Sequence, residues 1–381
     1  VNGADEWLLN PRLQVQVEGK ELERITVRAP VRGRAAQVLQ LTDPALVLPI
    51  VLRRTRALVD TLSSTDLAML CAAGVLVRPE EVVDEVLFRV DAPKARVSSR
   101  SERANQVWVQ RGGANVPPSL LARVGTSQLC LAGGPVLWTE DSARGVLVPV
   151  WFDTELTRAL ESFAEGGPPH PDVKPILSGV GAWTTRKQKQ RRVHRWQARL
   201  RKAAQRFRHS AYAVVSTLLP AYLVAALARY VRSLVREGYL PLEDGQSRRY
   251  YRHNEPVVSL FHRELSPTVE HVVGTRIKPS YCYLGAYEPG AELKSHLDRE
   301  QCEFSVSLQV DYDPAPRRTS PWPLWMHPKG KEPVPIHLAA GEALFYKGRE
   351  LPHFRHPLPS GHRSISIFLH YVHADFPGSL R

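Results

Sequence analysis

The chain has 381 residues, 43% of them apolar and 23% charged, with a net charge of +13. That length accommodates one large or two ordinary domains, and the balance excludes disordered and fibrous chains. Its 31 prolines favour short strands and turns over long helices, and the positive excess calls for an acidic partner such as nucleic acid, an anionic surface or an acidic peptide.

Residues 1–165 alternate apolar runs with turn signals and predict a small mixed α/β domain, with a role in substrate or peptide recognition. Within it, Thr65 to Ala73 is expected to form a capped helix leading into a strand at Val75–Val77, a pattern found in small winged-helix modules. Gly74-Val-Leu-Val and Gly145-Val-Leu-Val look alike, and the second leads into a helical stretch from Asp153. Cys71, Cys130, Cys282 and Cys302 are too scattered for a disulfide framework, which predicts a reducing, cytoplasmic setting. The chain begins at Val1, and its first residues lack the basic-then-apolar pattern of a secretion signal.

Gly166-Gly-Pro-Pro-His-Pro-Asp172 has the composition of a linker, and residues 166–209 are expected to be that linker plus a basic helix. From Arg186 to Arg208 there are eleven Lys/Arg and no acidic residue, while Val193, Trp196, Leu200 and Phe207 recur at helical spacing. The helix either packs its apolar stripe on a neighbouring domain or offers its basic face to nucleic acid or a membrane. The uncharged run Ser210–Ala228 is long enough to test as a membrane span, but Pro220 interrupts it and its apolar face continues through Arg229, Arg232 and Arg236 to Gly238. A non-membrane helix ending at Gly238 fits that pattern better.

His-x-Asp triplets occur at His170/Asp172, His296/Asp298 and His373/Asp375, so the triplet alone carries little meaning. The second lies in strand-rich context: Tyr281 to Tyr287 is an expected strand, Glu288-Pro-Gly290 a turn, and Leu293 to Asp298 the next strand, which would point His296 and Asp298 to one face. Glu303 to Val310 alternates strictly, predicting a half-buried strand with a polar face turned to a pocket. A third ligand is expected from a distant strand, where Gly341-Glu-Ala-Leu-Phe-Tyr-Lys-Gly348 leads into Leu351-Pro-His353, with His356 and His362 as competitors. Asp311 to Ile336, rich in proline and carrying Trp322 and Trp325, is expected to be a surface insertion.

The pieces Tyr287-Glu-Pro-Gly290, His296-Leu-Asp298, Gly341-Glu-Ala-Leu-Phe, His353 and Arg363, spread over roughly the last 165 residues, resemble the iron(II)/2-oxoglutarate oxygenases and, within them, the prolyl-4-hydroxylase-like branch. The resemblance implies an α+β chain whose residues 210–381 form a double-stranded β-helix (jelly roll) with flanking helices. It implies His296, Asp298 and His353 as ligands of iron(II), and Arg363, ten residues after His353, on the far carboxylate of 2-oxoglutarate, with Tyr287 as a second hydrogen bond to it. Two imidazoles and one carboxylate suit iron(II) and leave three adjacent positions open, while a guanidinium grips a carboxylate with two prongs. Ile365 departs from the pattern, since several branches place a serine there. The implied activity is hydroxylation of an unactivated C–H bond, most naturally on a peptide or protein side chain, with ascorbate as a candidate reductant. The alternatives are an oxygenase of a small natural-product precursor, or a non-catalytic β-helix binding nucleic acid or peptide.

Overall fold

A computed structural model describes residues 7–18, 23–32, 34–103, 105–110, 118–124, 135–152 and 157–380. Cys130 and the expected helix start at Asp153 lie outside them. The chain is mixed α/β with antiparallel sheets, and it divides into two units: residues 1–86 with 231–252, and residues 87–230 with 253–381. The proline/glycine stretch 166–172 falls inside the second unit.

In the first unit, strands Gln14–Glu18, Arg24–Val31 and Arg34–Leu41 form an antiparallel meander, followed by helices Pro44–Val51, Thr55–Val59 and Ser64–Ala72. The last helix matches the expectation: Ser63 caps it, its hydroxyl accepting from the Asp66 N–H. After it, Gly74 adopts a left-handed φ of 72° and hands the chain to the short strand Leu76–Val77, paired with Leu8–Leu9. Ile25, Val27, Ile50, Leu58 and Leu70, all fully buried, centre the core.

The second unit opens with a three-stranded sheet, Val107–Gln110, Val136–Asp141 and Val146–Trp151. Its core is Leu120, Trp138, Leu147 and Leu260. Next comes helix α1 (Arg186–Ser210), capped by Thr185, whose side chain and that of Gln188 reciprocally satisfy the first turn. Trp196, Leu200, Ala203, Ala204 and Phe207 are its buried stripe, as the spacing predicts. The apolar run after it does not start as a helix: Tyr212–Val215 is strand β1, and helix Ala221–Arg236 begins directly after Pro220. No helix among the described residues is long and apolar enough to cross a membrane.

The remaining elements are helices α2 (Pro256–Glu264) and α3 (Ser266–Val273), then strands β2 (Ile277–Tyr287), β3 (Leu293–His296), β4 (Phe304–Asp313), β5 (Leu324–Met326), β6 (Val334–Ile336), β7 (Ala343–Tyr346), β8 (His353–Arg355) and β9 (Arg363–His373). One sheet contains the run β1-β7-β4-β9-β2, a second runs β3-β8-β5-β6, and these pairs are antiparallel. From β2 to β9, successive strands therefore alternate between the two sheets, except that β5 and β6 are neighbours in the second. Two expectations are corrected here. The segment 311–336 is no surface insertion, because it carries β5 and β6 and buries Trp322 and Met326 in the second sheet. Nor is β4 half-buried: Ser305, Ser307 and Gln309 are as buried as Val306, Leu308 and Val310. Its polar face is interior.

Candidate metal centre

His296 ends β3 and His353 begins β8, and the two are directly paired in register. Cross-strand partners stand close enough for their side chains to share a ligand, and here the ring centroids are 4.3 Å apart. Asp298 is reached differently from the expectation of one common strand. The strand stops at His296, and Asp298 sits in the irregular segment beyond, its N–H donating to the Gly348 carbonyl at 3.0 Å. Asp298 Oδ1 then lies 3.7 Å from His296 Nε2 and 3.5 Å from His353 Nε2. The sequence-predicted ligands thus come together, His353 buried at 3% side-chain exposure and His296 opening outward at 27%.

The hydrogen bonds fix which nitrogens are available. His296 Nδ1 donates to the Lys294 carbonyl at 2.8 Å and His353 Nδ1 to the Leu351 carbonyl at 3.0 Å. Each ring is thereby held in the tautomer whose Nε2 carries a lone pair, and both lone pairs face the same carboxylate oxygen. Burial pulls the His353 pKa down, opposed by the Asp298 charge, so the neutral imidazole is favoured.

The carboxylate is held from behind. Ser305 Oγ donates to Asp298 Oδ2 at 2.8 Å and lies 2.9 Å from His370 Nδ1. Tyr346 packs its ring on His353 at 4.9 Å. Gly348 leaves the space the carboxylate occupies: a Cβ there would overlap Asp298 Oδ2 and stand 2.7 Å from the Cys302 carbonyl and 2.8 Å from Ser305 Oγ. A second ligand-type grouping, Asp298, Cys302 and His370, shares this carboxylate. Burial pushes the Cys302 thiol up to about 12, which keeps it protonated and a poor donor at neutral pH.

The residues expected beyond the ligands fall less uniformly. Tyr287 is buried at the far end of the interior, with its ring against Trp322 at 5.0 Å. Arg363 is 61% exposed and pairs with Glu288, its Nε 3.1 Å from Oε1. The guanidinium inside is that of Arg355, 2% exposed, stacked 4.2 Å from the Trp322 ring centre and 6.0 Å from that of Tyr287. One of its nitrogens donates to the Trp322 carbonyl at 3.0 Å. Arg355 follows His353 by two, so the period of a strand turns both to the same face. That periodicity was the available signal for it, and the strict alternation of β4 was the signal for Ser305; Tyr346 and Gly348 had none. Between Arg355 and the ligands, Ser307 Oγ and Ser366 Oγ are fully buried with no hydrogen-bond partner among the described residues. Of the competing histidines, His356 is exposed against Trp325, and His362 Nδ1 meets the Tyr312 hydroxyl at 2.8 Å.

No family model and no curated protein matches the chain. Among solved structures, it is similar to a prolyl-4-hydroxylase of Pseudomonas putida, at 19% identity over 46% of this chain and 98% of that one, TM-score 0.38. It is also similar to a prolyl hydroxylase of Trichoplax adhaerens in complex with a hypoxia-inducible-factor peptide fragment, at 14% identity over 46% and 91%, TM-score 0.39. The non-haem α-ketoglutarate-dependent epimerase SnoN of nogalamycin biosynthesis is 17% identical over 48% of this chain and 91% of its own, TM-score 0.40.

Proposed function

We propose that the chain is an iron(II)- and 2-oxoglutarate-dependent oxygenase whose metal is held by His296, His353 and Asp298 in a double-stranded β-helix spanning residues 210–381. The observation that carries this reading is the donor set itself: two Nε2 lone pairs and one carboxylate oxygen within ligand reach of one another, both Nδ1 positions committed to backbone carbonyls. Two imidazoles with one carboxylate suit iron(II) and leave adjacent positions open for a chelating cosubstrate, whereas calcium takes oxygen donors alone. The alternation of successive strands between two sheets, broken only by the β5–β6 hairpin, supports the β-helix assignment.

Iron(II) held there would supply the activation of dioxygen, with 2-oxoglutarate as co-reductant, that hydroxylation of an unactivated C–H bond needs. The chain's own residues do the rest. Ser305 keeps Asp298 Oδ2 occupied, so that Oδ1 faces the histidines. Arg355 is the better-buried anchor for the far carboxylate of 2-oxoglutarate, with Tyr287 beside it, because it lies inside the sheets on the same strand face as His353 and a guanidinium grips a carboxylate with two charge-assisted hydrogen bonds. Arg363, the residue expected for this from its spacing, remains the second candidate. Ser307 and Ser366 offer unused hydroxyls along the way, as a polar cosubstrate requires. Leu344, Phe368 and Met326, buried around them, keep water out.

The substrate we assign is a side chain of a peptide or protein. His296 is partly exposed and the neighbouring Leu297 is an exposed apolar residue, which supports a metal site opening at the surface to something larger than a metabolite. The test is succinate release from 2-oxoglutarate by purified protein with iron(II) and ascorbate. Iron-dependent succinate lost in His353→Ala is the expected result. Absence of turnover, together with unchanged iron binding in His296→Ala and His353→Ala, refutes the assignment.

A further inference from the structure

Helix α1 carries a second site that the oxygenase reading does not use. At 100° per residue, Arg191, Arg192, Arg195, Arg199, Lys202 and Arg206 fall within a single arc of about a third of the helix circumference. From Arg192 to Arg206 the row is roughly 21 Å long at 1.5 Å per residue. The apolar residues Trp196, Leu200, Ala203 and Phe207 occupy the adjoining arc and are buried. Near the N-terminal end of the row the surface sinks into a cavity of about 320 Å³. Arg192, Arg195 and Arg199 line it from the helix, Arg144 from the turn after strand Val136–Asp141, with Asp141 and Tyr222 completing the wall.

Four guanidiniums face one carboxylate there. Arg144 pairs with that carboxylate, Asp141, at 2.6 Å, and it also donates to the Thr217 carbonyl at 2.9 Å. Arg199 donates to the Ser216 carbonyl at 2.9 Å and to the Thr217 hydroxyl. Both guanidiniums also lie over the Trp196 ring, 5.1 Å and 5.8 Å from its centre. These two are thus fixed before any ligand arrives. Among the described residues, no hydrogen bond or ion pair engages Arg192 or Arg195, both exposed. Burial, with Arg144 alongside, pulls the Arg199 pKa below its usual value, partly opposed by the Glu342 charge.

We propose that this recess receives a backbone phosphate of a nucleic acid, and that the basic row along α1 follows the neighbouring phosphates. Fixed guanidiniums suit a phosphate's several acceptor oxygens, and a straight row of cations suits a polymer of regularly spaced charges. An anionic membrane is the less fitting partner, because a helix lying on a bilayer needs free apolar residues beside its basic face, and those of α1 are buried. Contact is expected to be independent of base sequence, since it reaches only the backbone.

The test is fluorescence anisotropy of the full chain with a labelled 20-base-pair DNA duplex and, separately, a 20-nucleotide single-stranded RNA, over a range of salt concentrations. Vesicles of phosphatidylserine and phosphatidylcholine form the third arm. Arg192→Glu/Arg195→Glu is compared with Arg201→Glu/Arg208→Glu, an equal charge change on the opposite side of the helix, and melting curves monitor folding. If the first pair melts early, Arg192→Gln/Arg195→Gln replaces it. The expected result is micromolar binding of duplex or RNA near 0.1 M salt, weakened at least about 10-fold by the first pair and under about 3-fold by the second. On duplex, the first pair should also flatten the salt slope by about two, one per lost phosphate contact. Equal losses in both pairs, no binding of either nucleic acid, or binding of vesicles alone overturns the proposal.

Discussion

Replacing Gly348 by alanine tests the candidate metal centre through a residue that donates nothing to a metal. Gly348 is not among the glycines at positive φ, so alanine is acceptable to the backbone and the effect is steric. The added methyl would overlap Asp298 Oδ2 and press on the Cys302 carbonyl and Ser305 Oγ at 2.7 Å and 2.8 Å. Two of those neighbours are the carboxylate and the hydroxyl that aims it, so relief comes most cheaply by turning Asp298 away from the histidines. Overpacking of this kind costs about 1–3 kcal/mol. Taken from ligand binding, about 2 kcal/mol is roughly a 30-fold weaker site. Anaerobic titration with iron(II), or with cobalt(II) followed by its absorption, reads this directly, alongside a thermal melt. If Gly348→Ala binds metal within about 2-fold of wild type and melts at the same temperature, Asp298 is not held where this reasoning requires.

Ser305→Ala removes the donor to Asp298 Oδ2 and the contact with His370, and metal affinity measured by the same titration should fall about 10- to 100-fold. Arg355→Met should abolish 2-oxoglutarate binding seen by calorimetry on the metal-loaded protein, whereas Arg363→Ala, which breaks only an exposed pair with Glu288, should change it under about 3-fold; the reverse order would return the anchor to Arg363. Burial lowers the His262 pKa from 6.5 to about 3, so the unfolded chain takes up this proton first as pH falls. Stability from this residue is complete above about pH 6.5 and declines below it by up to about 1.4 kcal/mol per pH unit, continuing towards pH 3. Urea denaturation at pH 7 and pH 5 should show a smaller loss in His262→Gln than in the parent, and equal losses would contradict the burial argument.

Why some of this was legible in the sequence and some was not follows from what each residue's position depends on. His296 and Asp298 were legible from the expected strands around them, since two other triplets share their spacing, although the irregular segment after β3, not the strand, presents the aspartate. His353 was one of three nearby histidines, and only register with His296 selects it. Helix α1 kept its expected stripe because 25 residues of helix leave the 3.6-residue period room to show. β5 and β6 are three residues each, among prolines, too short for any period to register. β1 lay hidden in an apolar run that helix and strand share equally. Arg355 was passed over because a lone arginine in an apolar strand normally lies outside, and its burial depends on Trp322 and Tyr287 arriving from distant segments.

The order of strands in the larger sheet has a consequence for the making of the protein. β9, the last strand along the chain, lies between β4 and β2 and pairs with both along most of its length. While a ribosome is still building the segment before residue 363, β2 and β4 have open edges and no common partner. His370, which backs Ser305, also arrives only with this strand. The cavity that would hold the metal is therefore assembled after nearly all of its lining has been synthesised. Pairings so remote in sequence are slow to find, so β2 and β4 keep exposed edges until β9 has been made, and the ligand-binding form follows only then.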